Sequence, residues 1–439
     1  MGGWLDDHAI YYNVAYQELG PMEEEMLEHA GDPHPKRRLR EEGREELEAS
    51  NLIAQKLWLK SCLYKMKKDE WAKILKYPRS IGDMGVCASL QGFRVIENLK
   101  HTQASRVWKM RDMEGEFIDS PQPDRLEQVF AKLMNPPKGG YLAFFSDDSC
   151  LSVHTKEGIC TWNKDLKSCD ASHTGALFEM SYRQAPVATP ETKRLVAQCK
   201  LPIRVHSLDN PKEVVLLDPN EPTLYSGSTM TTYVNNNAEF ILLWQYSKID
   251  FSRLTRKEAE AAIHVAAAKA GYQISLEYCP TPGDIQFLKH SPVRNERGDL
   301  KPLLNLGTLL RLSGTCKRDL PGRGTIEERA HAFQKSLLRG IYVNTSFTLI
   351  NKMRATCAAG VVTEQQEVAT KELLMYKTAY TNEVEYNSFS DESIAERYRL
   401  TPCEMAELNE RLGSCGFGQT VHTSATTKIL ERDYGLATH

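Results

Sequence analysis

Two carboxylates stand side by side at Asp147-Asp148, within the run Tyr141-Leu142-Ala143-Phe144-Phe145-Ser146-Asp147-Asp148-Ser149-Cys150-Leu151-Ser152-Val153. Apolar stretches flank a short polar turn, which is the pattern of a β-hairpin. Adjacent Asp side chains at a hairpin tip repel each other unless a cation sits there. Asp and Ser are also the favoured residues of an ordinary exposed turn. A second acidic pair, Asp165 and Asp170, follows the strand-like run Gly158-Ile159-Cys160-Thr161-Trp162. Carboxylate oxygens of this kind suit hard cations such as Mg²⁺, although the same spacing is common on any surface. The third cluster is Ser226-Gly227, then Thr231, then Asn235. It reads as a loop opening a helix, with Thr231 and Asn235 one turn apart on one face. Ser-Gly before Thr also reads as plain N-cap chemistry.

Taken together, the clusters carry a resemblance. S-G-x-x-x-T-x-x-x-N over Ser226–Asn235 resembles motif B of viral RNA-dependent RNA polymerases. Ser146-Asp147-Asp148 resembles motif C, and Asp165-x-x-x-x-Asp170 resembles motif A. Most such enzymes run A, B, C; here the order is C, A, B. The usual order would need a hairpin of adjacent acids after Asn235, where Pro282-Gly283-Asp284-Ile285 supplies a single Asp. The permuted order resembles the polymerases of permutotetraviruses and birnaviruses. Birnavirus enzymes carry a different motif C, so the Ser-Asp-Asp form is closer to the permutotetravirus kind.

Weaker matches lie around this centre. Arg256–Ile263, continuing to Gly271 and Ile274, resembles motif D: an Ala-rich helix, a Gly stop and a strand. The Lys that often follows in that family, as general acid toward pyrophosphate, is missing from Tyr278–Asp284, and Lys269 precedes the Gly. Ile285-Gln286-Phe287-Leu288-Lys289-His290 resembles motif E, which implies a primer grip at Phe287, Leu288 and Lys289. Lys73–Asp83 resembles motif F, in which Arg79 and Lys76 would meet the incoming triphosphate; a forked guanidinium suits phosphate.

The elements that must position these residues follow from the rest of the chain. Its 439 residues can bury a large core and divide into two or three domains. The resemblance implies an α+β fold of the right-hand polymerase type, with fingers, an antiparallel-sheet palm in permuted motif order, and a thumb. Residues 1–140 would form an N-terminal arm and fingers, and 141–293 the palm, with a fingers insertion at about 183–223. Residues 294–439 would form a mostly helical thumb. A charged helical stretch is expected from Lys36, continuing through Leu52, Leu57 and Leu63. Leu303 to Leu312 reads as strand-like, and helical patterns dominate from Thr325.

The net charge of −3 leaves room for a channel lined locally by cations. The eleven cysteines form no C-x-x-C pair, so reduced thiols are expected and a zinc site is not. No apolar run reaches the roughly 18 residues of a membrane span, and no signal peptide is read. Localisation in the host cytoplasm or association with the virion is expected.

The resemblance implies template-directed nucleotidyl transfer, with RNA template and product and ribonucleoside triphosphates as partners. Two cations, Mg²⁺ or Mn²⁺, would be held by Asp147, Asp148 and Asp165. Asp170 and Asn235 would sense the ribose, and Ser226, Gly227 and Thr231 would shape the nucleotide loop. A reverse transcriptase is opposed by Asn235, since those enzymes exclude the 2′-OH with a bulky side chain near motif A. A palm-derived RNA-binding protein without turnover is opposed by the retained Asp147 and Asp165.

Overall fold

The computed structural model describes residues 107–184, 199–313 and 389–434, apart from a few positions within them. It also describes the strands β1 (Lys60–Lys65) and β2 (Arg79–Asp83) and a few isolated residues. The N-terminal arm, the charged stretch from Lys36, Lys76 and most of the helical pattern between Thr325 and Phe389 lie outside the described residues.

The central sheet is built from β3 (Val107–Met110), β4 (Met113–Phe117), β5 (Tyr141–Phe145), β6 (Asp148–Thr155), β7 (Gly158–Leu166) and β10 (Ile274–Tyr278). The strand order is β10-β7-β6-β5-β4-β3. All pairings are antiparallel except β4 with β5. Helix α1 (Pro123–Met134) joins that parallel pair, which needs a crossover connection. The mixed α+β class agrees with expectation, while this one parallel pairing departs from a wholly antiparallel sheet.

β5 is an unbroken apolar run because both of its faces are covered. Tyr141 and Ala143 pack with Leu126, Val129 and Phe130 of α1. Leu142 and Phe144 pack on the other face with Val234, Phe240 and Leu243 of α4 (Thr231–Tyr246). Helix α4 is buried nearly all round, polar residues included. Two shorter helices, α2 (Cys169–Ser172) and α3 (Gly175–Gln184), lie between β7 and the second sheet in the chain. Helix α5 (Arg256–Lys269) begins with a capping box between Thr255 and Glu258, and Gly271 leaves it in the left-handed region at φ 91°.

A second sheet runs β2-β1-β8-β9, with β8 (Ile203–His206) and β9 (Val214–Leu217). It unites strands from before the central sheet with strands from the 183–223 segment. Leu63 therefore sits in a strand, not in the helix expected from its charged neighbourhood. Pairing of β1 to partners on both sides outweighs the local pattern there.

The C-terminal core gathers β11 (His290–Arg294), β12 (Leu300–Leu304), α6 (Leu306–Ser313), α7 (Asp391–Tyr398), α8 (Pro402–Ser414) and α9 (Ser424–Tyr434). The strand-like run Leu303–Leu312 breaks at Asn305 into strand and helix. The cause is tertiary: Asp433 Oδ2 accepts the Gly307 N–H at 2.7 Å and Tyr398 Oη accepts the Leu306 N–H at 2.8 Å, which holds the first turn of α6. Among the described residues no helix is long and apolar enough to cross a membrane.

Candidate active site

The β5–β6 hairpin is tight: Phe145 pairs with Asp148, so Ser146 and Asp147 form a two-residue turn. Ser146 takes the left-handed conformation at φ 58°. Asp147 is exposed at the tip, and Asp148 begins β6 instead of sharing the tip. In the β6–β7 ladder Asp148 stands directly opposite Asp165. The turn and Asp165, separated in the chain, thus lie side by side at one end of the sheet.

Like charges directly opposite on paired strands are destabilising. Asp148 carries this cost. Burial pushes its carboxyl up to about 6, Lys289 and the Leu288 N–H pull it down, and the carboxylates of Asp147 and Asp165 push it up again. Among the described residues no three His, Cys, Asp or Glu side chains are gathered closely enough to hold a metal ion. Mg²⁺, however, is ordinarily held by one or two carboxylates, with waters and substrate phosphates completing its shell. An all-oxygen donor set under mutual repulsion fits such an ion.

Asp170 reaches the same place by a bend. Ser168, left-handed at φ 50°, turns the chain after β7 into α2. Asp170 Oδ1 then accepts from Asn235 Nδ2 at 2.9 Å. The same amide nitrogen donates to Ser146 Oγ at 2.9 Å, and Asn236 Oδ1 accepts the Ser146 N–H at 2.8 Å. Two consecutive Asn residues of α4 therefore hold the hairpin turn. Asn235 is 1% exposed, and Asp170, which accepts its hydrogen bond, is the more exposed of the two.

The loop ahead of α4 rests on β2. The Gly82 N–H donates to Ser226 O at 2.9 Å. Gly227 has φ 99°, and a Cβ there would come within 2.7 Å of Ile81 Cγ2 and 2.9 Å of Gly82 O. Glycine is needed at this close approach. Thr231 Oγ1 donates back to Ser228 O at 2.9 Å and closes the loop. Arg79 lies in β2, the strand that this loop meets.

The 285–290 segment makes a second tight turn. Phe287 and His290 exchange backbone hydrogen bonds at 2.9 Å around Leu288 and Lys289. Both central residues are left-handed, at φ 49° and 65°, the hairpin geometry that matches strand twist. Neither is Gly, at roughly 1–2 kcal/mol each. The turn delivers the Leu288 N–H to Asp148 Oδ2 at 3.1 Å. Phe287 is fully buried in the core beside Ile285, which leaves the Leu288–Lys289 turn as the more exposed part of the segment.

No protein-family model and no curated protein matches the sequence. Solved structures similar to it include the RNA polymerase VP1 from Infectious Pancreatic Necrosis Virus, at 11% identity and TM-score 0.47, over 98% of this chain and 63% of that one. The birnavirus VP1-VP3 complex is similar at 11% identity and TM-score 0.47, over 97% of this chain and 59% of that one. The chain spans less than two thirds of the length of either. Both neighbours contain a birnavirus VP1, and birnaviruses are one of the two groups whose permuted motif order the sequence resembles.

Several residues of the site were not singled out by spacing. Glu239 and Lys164 form a fully buried ion pair, Nζ to Oε1 at 2.7 Å, directly behind the acidic cluster. Ser149 Oγ joins them, 3.1 Å from both Glu239 Oε1 and Lys164 O. Burial raises the Glu239 carboxyl, and Lys164 opposes the rise. His173 and Tyr272 close a further chain onto Asn235. A signal for Glu239 existed: it lies four residues after Asn235, on the same helical face.

Proposed function

We propose that this chain is an RNA-dependent RNA polymerase, transferring ribonucleotides onto a growing RNA in viral genome replication and transcription. The observation that carries the reading is convergence. Asp148 faces Asp165 in the strand ladder, while Asp170 hydrogen-bonds Asn235 at 2.9 Å. Segments distant in sequence thus meet at one point with the residue types the reaction needs. On this reading the central sheet is a palm with permuted motifs, the β2-β1-β8-β9 sheet belongs to the fingers, and the C-terminal core is the thumb.

Bound divalent cations, Mg²⁺ or Mn²⁺, would supply charge neutralisation of the triphosphate and of the attacking primer oxygen. Asp147 and Asp165 are the main candidates to hold them, with Asp148 assisting. Asp170 accepts a hydrogen bond from the ribose, backed by Asn235. Ser226, Gly227 and Thr231 shape the loop over the nascent base pair. The Leu288–Lys289 turn brings a cation toward the primer end, and Arg79 meets the triphosphate. Positioning and electrostatics account for most of the acceleration in phosphoryl chemistry of this kind.

The test is Mg²⁺-dependent incorporation on an RNA template, with ribo- and deoxyribonucleotides supplied separately. Ribonucleotide incorporation that disappears in Asp147→Ala and Asp165→Ala, with the fold retained by circular dichroism, is expected. Full activity in either variant would overturn the assignment. Preference for deoxyribonucleotides would mark a reverse transcriptase, and RNA binding without turnover would mark a binding protein.

A further inference from the structure

Asn235 is a symmetric-looking amide in a site that needs it asymmetric. Its Nδ2 lies 2.9 Å from Asp170 Oδ1 and 2.9 Å from Ser146 Oγ; its Oδ1 lies 2.6 Å from His173 Nε2. A carboxylate can only accept, so the end of the amide facing Asp170 must be the nitrogen. The oxygen then faces His173, whose Nε2 must carry the proton. The other ring nitrogen, Nδ1, is 3.1 Å from Tyr272 Oη. In a neutral imidazole that nitrogen is a bare acceptor, so the tyrosine hydroxyl donates to it. Every member of the chain has one allowed role once the carboxylate is in place.

The surroundings keep it so. His173 is 8% exposed and Tyr272 is 5% exposed. Burial lowers the basicity of His173, which keeps the ring neutral, and raises the Tyr272 hydroxyl so that it stays protonated. The two rings pack edge to face with centroids 5.9 Å apart. Cys169 Sγ, 3.8 Å from His173 Nε2, is the other polar atom at that nitrogen and a weak acceptor beside the amide oxygen.

We infer that His173, anchored by Tyr272, is a positioning residue for sugar selection: it fixes the amide of Asn235 in the one orientation that keeps Asp170 aimed at the ribose hydroxyl. This rests on the polymerase reading above. An amide free to flip would present its oxygen to the Asp170 carboxylate, repelling the group that should accept from the substrate. Selection against a sugar that lacks the hydroxyl depends on buried polar partners held in place. His173 touches neither substrate nor cation on this reading, and it acts through Asn235.

The experiment compares incorporation efficiencies for matched ribo- and deoxyribonucleotides in the full chain, as a ratio. His173→Leu removes the donor, and the ratio is expected to fall about three- to tenfold, the worth of one neutral hydrogen bond. Tyr272→Phe removes a single hydroxyl and should lower the ratio less. His173→Gln can still donate to Asn235 Oδ1 and should keep the ratio near that of the wild type. A role confined to packing would lower use of both sugars equally and leave the ratio unmoved. An unchanged ratio in His173→Leu, with Asn235→Ala collapsing it, overturns the inference and spares the polymerase reading. If His173→Leu does not fold, an unchanged ratio in Tyr272→Phe, or a ratio lost in His173→Gln, overturns it equally. A wild-type chain that incorporates neither sugar removes both.

Discussion

Asp148 is under electrostatic strain in the site. It begins a strand opposite Asp165, follows Asp147, and is held by the Leu288 N–H at 3.1 Å. Its carboxyl sits at about 6 in the fold against an ordinary 3.8. A carboxyl raised by folding favours the folded state while protonated, and that stability is lost as pH rises through about 6. Asp148→Asn keeps an oxygen for the Leu288 N–H and removes the ionisation. In the presence of a chelator it should melt higher than wild type at about pH 8, the gain fading toward about pH 4. Added Mg²⁺ should raise the wild-type melting temperature at the higher pH and raise that of the variant less, since Asp147 and Asp165 remain. A variant that melts lower than wild type in chelator at that pH would contradict the electrostatic account.

At the scale of elements, β6, β7 and α4 are fastened by one buried charge pair. Lys164 of β7 bonds both carboxylate oxygens of Glu239 at 2.7 and 2.8 Å, and Ser149 of β6 bonds the same carboxylate at 3.1 Å. Lys164 and Ser149 are each the inward neighbour of an acidic residue, Asp165 and Asp148, so the clamp sets where those carboxylates emerge. Removing one partner leaves the other charge buried and uncompensated. Lys164→Met should destabilise the protein by about 3–5 kcal/mol. Lys164→Met with Glu239→Leu should regain much of that stability in thermal denaturation, since a buried pair is often replaceable by apolar side chains. The double variant should nevertheless incorporate poorly, because stability and alignment separate at this point. If the double variant is no more stable than Lys164→Met, the pair is not the source of the loss.

Over the whole molecule, the C-terminal core is tied to the central sheet through the 282–286 segment. Asn163 of β7 bonds that segment at two points, Nδ2 to Asp284 O at 3.0 Å and Oδ1 from Gln286 N at 2.9 Å. On the other side Arg432 pairs with Asp284 and with Glu277, the latter at 2.9 Å, and Arg397 donates to the Gly283 carbonyl. Arg397 also forms a buried pair with Asp433 at 2.9 Å, and Asp433 in turn holds the first turn of α6. A path of hydrogen bonds therefore leads from the C-terminal helices to the strand that carries Asp165. Arg397→Met should cost about 3–5 kcal/mol. It should also raise amide hydrogen exchange in Ser424–Tyr434 ahead of that in β6 and β7. Unaltered melting, or exchange that rises first in the sheet, would show that the tie is not where the stability lies.

Local patterns in the sequence were enough for the pieces that short-range physics governs. The apolar run before Ser146-Asp147 is a strand, the Ala-rich run from Arg256 is a helix, Gly271 closes it, and the Ser226-Gly227 loop leads into the helix that carries Asn235. Each depends on a few neighbouring residues, so the chain itself carries the signal. Leu63 and the break at Asn305 were not legible, because pairing to β2 and β8 decides the first and Asp433 with Tyr398 decides the second. The same division runs through the site. Asp147, Asp165, Asp170 and Asn235 stand out by type and spacing, Glu239 only by its helical spacing from Asn235, and Lys164, His173 and Tyr272 not at all. A buried charge or imidazole looks in sequence like any other polar residue. What gives it a partner is the strand register and the helix that crosses it, and these exist once distant segments have been packed together.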